Sequence, residues 1–170
     1  VARLRELDER DLARQISREL EVRHRLVGER GVRLVGQRRL YLFHFNHRLF
    51  QQHFYNSLGQ IEREILHAEV GTVLEELYGQ QAIDIAPQLA LHFEQAANPE
   101  KAVQYLLLAG DKVRDLYAYQ EAIDYYQRAQ AILKQTGDYQ QAARTLMKLG
   151  LVYHSALDFP NARLAYQQGF

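Results

Sequence analysis

The hydrophobic positions of this chain change period twice. Leu4, Leu7, Leu12 and Ile16 recur every three to five residues with charges between them. That is the spacing of one helical face, and it predicts a helix over residues 1–16. Gly28, Gly31 and Gly36 then interrupt any long helix. Val32–Val35 and Leu40–Phe45 read as two short strands, the second with Tyr41, Phe43 and Phe45 on one face. Gly36-Gln37-Arg38-Arg39 between them reads as a hairpin turn. Helical spacing returns after Asn46, a residue suited to an N-cap. Leu49, Phe50, Phe54 and Leu58 form its stripe, with His53 among them, and Ser57-Leu58-Gly59 closes it.

A longer helix follows over residues 60–78. Its expected inner side is Ile61, Ile65, Leu66, Val70, Val73, Leu74 and Leu77, and Gly79 stops it. Asp84 is expected to cap a helix reaching Ala96, with Pro87 tolerated in the first turn, where its missing N–H leaves nothing unpaired. Asn98-Pro99 starts a helix to about Tyr117, and another covers residues 119–135 before Thr136-Gly137. Asp138 starts one to about Leu157, and Asp158-Phe159-Pro160 starts the last.

Within these helices a pattern repeats. Gly110, Ala122, Tyr126 and Ala129 recur as Gly150, Ala162, Tyr166 and Gly169, each pair 40 residues apart. Small residues let antiparallel helices approach, an aromatic ring fills the gap beside them, and stacked copies bury one continuous core. The order small, aromatic, Ala, aromatic, small resembles the tetratricopeptide repeat, with Tyr153 as the first aromatic of the later copy and Val113 in its place in the earlier one. Ala90, Phe93, Ala102, Leu106 and Ala109 make a weaker, overlapping copy. The spacing departs from the usual 34 residues, which implies longer helices. The last copy is cut off at Phe170, so the array is expected to continue in a longer parent chain.

Charge adds a boundary. Residues 1–48 hold 12 arginines against 7 acids, net +5, and residues 49–170 are net −5. A basic half can attract nucleic acid or an acidic surface; a solvated face neutralised by another part of the parent is the plainer reading. Cysteine is absent, which removes disulfides, thiol catalysis and thiolate zinc sites and fits a cytoplasmic protein. No apolar run approaches the roughly 20 residues of a membrane span.

Candidate chemistry is sparse. The sequence has no phosphate-binding loop, H-E-x-x-H, G-x-S-x-G or EF-hand motif. Asp111 with Asp115, and Glu62 with Glu69, are carboxylates on one helix face that read as plain surface. Tyr125-Tyr126 could stack on a ligand ring, but one of the two is a repeat-core position and packing is the expectation. FHFNHRLFQQHFY, residues 43–55, gathers His44, His47 and His53. His44 falls on a strand. His47 and His53 are six apart on a helix, on opposed faces and without a carboxylate between them, which disfavours a metal site. His53 reads as a core histidine. Phe43 and Phe45 are expected to close the hairpin, and Phe50 and Phe54 to anchor the helix to the arm.

The run RLYLFHFNHRLFQQHFYNSL, residues 39–58, resembles the segment that joins a winged-helix domain to a helical arm in bacterial signal-transducing ATPases with numerous domains. The stretches Glu62–His67, Leu77–Gly79, Leu89–Glu94 and Pro99–Ala102 keep that family's order. The resemblance implies a switch protein whose nucleotide-binding core lies upstream and outside this chain. His47 matches a histidine that reaches the nucleotide phosphates in the inactive ADP state, so it is the one candidate binding residue. Asn46 and Arg48 flank it where the family has Arg and Ala.

The expected fold is therefore mainly α: a solenoid of α-helical hairpins, tetratricopeptide-like, preceded by a small winged-helix-like segment with a β-hairpin. Residues 1–48 are expected to end a winged-helix-like domain, 49–83 to connect, and 84–170 to form the repeats. The expected function is a non-catalytic regulatory or sensor arm without a cofactor or metal of its own. It binds a protein partner or small inducer and relays that to the upstream core, where ATP or ADP binds. The alternatives are a DNA-binding winged-helix module with a helical dimerisation arm, and a free-standing tetratricopeptide scaffold; an enzymatic output elsewhere in the parent is untouched by either.

Overall fold

The computed structural model describes residues 9–35 and 38–169. Residues 1–8 of the expected first helix, and Gly36-Gln37 of the expected turn, lie outside them. The chain forms two units, Val1–Gly79 and Gln80–Phe170.

In the first unit, α1 (Glu9–Gln15) continues without a break as a wider-wound segment, Ile16–Arg23. The expected end at Ile16 is passed because neither Gly nor Pro intervenes before Gly28 and Leu20 extends the stripe of Leu12 and Ile16. The backbone reaches further back than in an α-helix: His24 N–H bonds to Glu19 O at 3.0 Å and Leu26 N–H to Leu20 O at 2.7 Å. Glu21 accepts from Ser17 Oγ at 2.9 Å and from the Glu29 N–H at 3.0 Å, tying this segment to the first strand.

Strands β1 (Val27–Val35) and β2 (Arg38–Phe45) pair antiparallel, with Val27 opposite Phe45 and Val35 opposite Arg38. β1 begins earlier than the expected Val32. Gly28 does not break it, because it faces a crowded spot: a Cβ there would fall 2.9 Å from both the His44 ring and Asn46 Oδ1. Gly31 marks a bulge, with φ at 121°, a conformation that favours glycine. Asn46 is not the helix cap expected from sequence. Its Nδ2 donates to Arg25 O at 2.8 Å and Val27 O at 3.2 Å, closing the open end of the hairpin. His47 takes the N-cap position of α2 (Arg48–Ser57), without a side-chain capping bond.

Helix α3 spans Gln60–Tyr78 as expected, and Gly79 stops it at φ 50°. The expected burial fails for α2 and holds in part for α3, where Leu66, Val70, Val73, Leu74 and Leu77 are half-buried. Leu49, Phe50, Phe54, Ile61 and Ile65 are exposed, and Gly71 is the buried residue of α3 among those described. A stripe at helical spacing fixes which residues share a face, not whether that face is covered. The two helices meet through Tyr55, whose OH lies 3.1 Å from His67 Nε2 and whose ring carries the Arg63 guanidinium at 5.3 Å.

A short 3₁₀ segment, Gly79–Ile85, leads into α4 (Ala86–Gln95). Asp84 does not cap α4. The N-cap is Ile85, and the Asp84 carboxylate instead pairs with Lys112 at 3.1 Å. Then come α5 (Pro99–Asp115), α6 (Tyr119–Thr136), α7 (Tyr139–Ser155) and α8 (Phe159–Gly169), each packed against the next. Asn98 and Asp138 cap α5 and α7 as expected, accepting from Lys101 N at 3.1 Å and Gln141 N at 2.9 Å.

The turns carry the regularity. Positive φ recurs at Ala97 (51°), Tyr117 (61°), Gly137 (76°) and Leu157 (62°), so one helix and its turn occupy 20 residues. Three of the turns close in one pattern, with Asn98 N–H to Phe93 O (3.0 Å), Ala118 N–H to Val113 O (2.9 Å) and Asp158 N–H to Tyr153 O (2.8 Å). The 40-residue sequence period is two such steps, which is why the Ala90 pattern overlaps the Gly110 pattern. The core runs through all five helices, from Leu89 and Phe93 through Leu106 and Tyr126 to Leu149, Val152 and Ala162. Gly110 and Gly150 mark its tightest places. A Cβ on Gly110 would fall 2.5 Å from Tyr126 Cε1, and one on Gly150 would come closer still to Tyr166.

Candidate functional site

The helical stack holds a polar cluster that sequence spacing alone read as surface. Asp111 follows Gly110 on α5 and is about two-thirds buried. Its Oδ1 accepts from Tyr126 Oη at 2.6 Å and from Arg114 Nη1 at 3.1 Å, and Lys148 Nζ reaches both carboxylate oxygens at 2.6 Å. One carboxylate therefore joins α5, α6 and α7. Burial first, and the bond to Asp111 second, push the Tyr126 pKa well above the usual tyrosine value. Asp115 remains exposed and accepts from Arg114 Nε at 3.1 Å and Nη2 at 2.8 Å. The signal that could have identified Asp111 was its place beside the repeat glycine, opposite the repeat tyrosine.

A second bridge joins next-but-one helices. Arg128 on α6 pairs with Glu94 on α4 and with Asp124 within its own helix, and its guanidinium lies 5.5 Å from the Tyr125 ring centre. Tyr125 thus holds an arginine of its own helix, while Tyr126 is fully buried as the repeat pattern required. Both bridges tie the stack together by charge-assisted hydrogen bonds, and neither presents a nucleophile or an acid–base pair to an open cavity.

The three histidines of residues 43–55 do not converge. The His44 ring lies beside Gly28 across the hairpin, His47 meets the Phe50 ring edge-on at 5.8 Å, and His53 meets Phe54 at 5.9 Å. His53 is exposed, not the core histidine expected from its stripe, because α2 buries none of its residues. His47 is exposed as well, at the start of α2. Among the described residues no group of three His, Cys, Asp or Glu side chains gathers as a metal site. Among them, too, no helix is long and apolar enough to cross a membrane.

Two open depressions lie on the stack. One, of about 530 Å³, sits where α5, α6 and α7 approach one another, with Val103 and Leu133 at its base and Glu100 and Asp138 at its edge. The other, of about 640 Å³, runs along α7 and α8 between His154, Phe159, Ala162, Arg163, Tyr166 and Gln167. Met147, Leu151 and Leu164 are exposed on the same two helices. The shape is that of a helical stack with uncovered apolar grooves, the kind of surface on which polypeptides dock.

No curated protein and no solved structure matches the chain. A family model does: residues 114–170, α6 to α8 with the end of α5, match the tetratricopeptide repeat. Residues 114–170, with the turns at Tyr117, Gly137 and Leu157 and the Gly150–Tyr166 contact, are thus a tetratricopeptide-like helical region.

Proposed function

We propose that this chain is the non-catalytic regulatory arm of a cytoplasmic multidomain signalling ATPase. Its helical stack binds a protein partner, and the N-terminal unit relays that event to a nucleotide-binding core upstream. The interaction role rests chiefly on the tetratricopeptide-like stack. Its Arg128–Glu94 and Lys148–Asp111 pairs are consumed in bridges between helices, while Met147, Leu151, Phe159 and Leu164 are exposed on α7 and α8. Repeat surfaces of this kind bind through side chains spread along several helices. The test is a photo-crosslinking amino acid placed at Gln104 on α5 or Met147 on α7 of the parent protein. One defined polypeptide should be trapped from both positions under inducing conditions, and a parent that signals normally while trapping none from either sinks the reading.

The ATPase context rests on the resemblance of residues 39–58 and of the stretches after them. In this reading the hairpin β1–β2 ends a winged-helix-like domain, and His47, exposed at the α2 N-cap, contacts the nucleotide phosphates of the ADP-bound parent. A partner then biases a two-state packing of the arm. Hydrogen exchange of the parent protein with ADP and with ATP should differ in the hairpin and α2. His47→Ala should speed ADP release. Identical exchange in both nucleotide states, with ADP release unaltered by the substitution, refutes this part while leaving the interaction role in place.

A further inference from the structure

The seam between α5 and α7 is filled at one place and open at another. Short turns reverse the chain twice, so α5 and α7 run the same way on either side of α6. Glu100, Gln104, Leu107 and Asp111 recur at helical spacing on one face of α5, and Gln141 and Lys148 share a face of α7. In the middle of the seam Lys148 crosses from α7. Its Nζ lies 5.7 Å from the centre of the Tyr126 ring and donates to both Asp111 oxygens at 2.6 Å. A cation on an apolar bed, held by a carboxylate of the facing helix, closes the seam there.

Nearer the start of both helices the same seam is open. The depression of about 530 Å³ has buried Val103 and Leu133 as its bed and Glu100, Gln104, Asp138 and Gln141 at its rim. It has the bed and the carboxylates of the filled place, but no Lys or Arg lines it. Neither Glu100 nor Asp138 makes an ion pair among the described residues. One Asp138 oxygen caps α7, and the neighbouring Lys101 lies over the Phe93 ring at 4.9 Å. The slot is interior to the array, because α4 packs on α5 and α8 packs on α7. It is also particular to this repeat. Gly110 to Ala129 keeps the spacing of the tetratricopeptide pattern, so the surplus over the usual period of about 34 residues falls between Ala129 and Gly150. Leu133, Asp138 and Gln141 lie in that lengthened stretch.

We propose that this slot receives an arginine or lysine side chain of a partner polypeptide. The stem rests on Val103 and Leu133, and the charge lies by Glu100 and Asp138 as Lys148 lies by Asp111. The proposal rests on the interaction role above and names its partner's chemistry.

The test uses the 170-residue chain, labelled at its Val and Leu methyl groups, and two alanine-rich peptides. One has a single central arginine, and the other has glutamine in its place. The arginine peptide should shift the Val103 and Leu133 methyl signals. It should bind about tenfold tighter than the glutamine peptide, with the advantage shrinking as salt rises. Glu100→Gln and Asp138→Asn should each weaken it about threefold. Asparagine still caps α7, so an unchanged urea midpoint separates lost binding from lost folding. Glu121→Gln, at an exposed acid of α6 outside the slot, should leave binding as it is. Equal affinity of the two peptides, or an equal loss in Glu121→Gln and Glu100→Gln, overturns the proposal. So does spermidine binding as tightly as the arginine peptide, since the occupant is then a small cation. A parent protein that refuses the peptide its 170-residue piece accepts overturns it too, since its slot is then filled in cis. A polypeptide trapped from Gln104, together with no preference for arginine, refutes the slot's chemistry and leaves the broader role standing.

Discussion

Gly110→Ala is the sharpest test of the packing described above. The added methyl would sit 2.5 Å from Tyr126 Cε1 and 2.8 Å from Cδ1, inside van der Waals contact. The ring cannot swing away cheaply. Tyr126 is 0% exposed, packed among Ile123, Leu149 and Val152, and its hydroxyl is held by Asp111 at 2.6 Å. Overpacking of this kind costs about 1–3 kcal/mol. Alanine in place of mid-helix glycine returns about 0.5–1 kcal/mol. The net expectation is a loss of about 1–2 kcal/mol, read as a lower urea midpoint at constant slope. In a Tyr126→Leu background the clash is removed, so the same Gly110→Ala change should stabilise by about 0.5–1 kcal/mol. That sign change is the signature. Gly110→Ala that is neutral or stabilising in the wild type, or equally costly in both backgrounds, refutes the argument. Gly150→Ala gives an internal comparison. Tyr166 is partly exposed, with no anchoring hydrogen bond to its hydroxyl among the described residues, so its ring can yield and the cost should be smaller.

Further expectations follow from the bridges and turns. Tyr126 is held protonated in the fold, so its contribution is fully present below about pH 10, the unfolded value, and is lost as pH rises beyond that. Urea midpoints from pH 9 to 11 should fall more steeply in the wild type than in Tyr126→Phe. Burial lowers the His67 pKa, so its contribution is present above about pH 6.5 and is lost as pH falls below it; hydrogen-exchange protection in α2 and α3, taken relative to the intrinsic rate at each pH, should fall in mild acid, less so in His67→Gln. Leu157→Gly at φ 62° should stabilise by up to about 1 kcal/mol by relieving a left-handed backbone, whereas Gly137→Ala at φ 76° should destabilise by about 1 kcal/mol, both by urea unfolding. Phe54→Ser on the exposed face of α2 should change stability by less than about 0.5 kcal/mol, while buried Phe93→Ala should cost about 3–5 kcal/mol, compared by the same assay.

The sequence disclosed what local rules govern. Helix limits in the stack came within two residues of expectation because Asn98, Gly137 and Asp138 act through bonds to their own neighbours. The repeat pattern located Gly110 against Tyr126 because both are set by helix spacing. What it could not disclose depends on partners distant in sequence. Asp84 looked like a cap and pairs with Lys112, 28 residues away. Asn46 looked like a cap and reaches back to Arg25 and Val27, because strand β1 starts earlier than its alternation suggests. Asp111 looked like surface because its bridge to Lys148 spans 37 residues and two turns. The stripes of α2 and α3 stated which residues share a face and were silent on what covers it. Nothing in the structure bears on His47 as a phosphate contact beyond its exposed place at the start of α2.

The same contrast separates the two copies of the repeat. In the earlier copy a tyrosine over a glycine is locked by an aspartate one residue on, and that aspartate recruits a lysine from the next-but-one helix. In the later copy the glycine and tyrosine persist, but Leu151 stands where Asp111 stood, so the lock is missing. A leucine cannot hold the tyrosine hydroxyl. Leu151→Asp should therefore give Tyr166 an acceptor and raise the stability of α8, seen as slower hydrogen exchange there. Unchanged exchange in α8 would show that a carboxylate at this place does not lock the tyrosine.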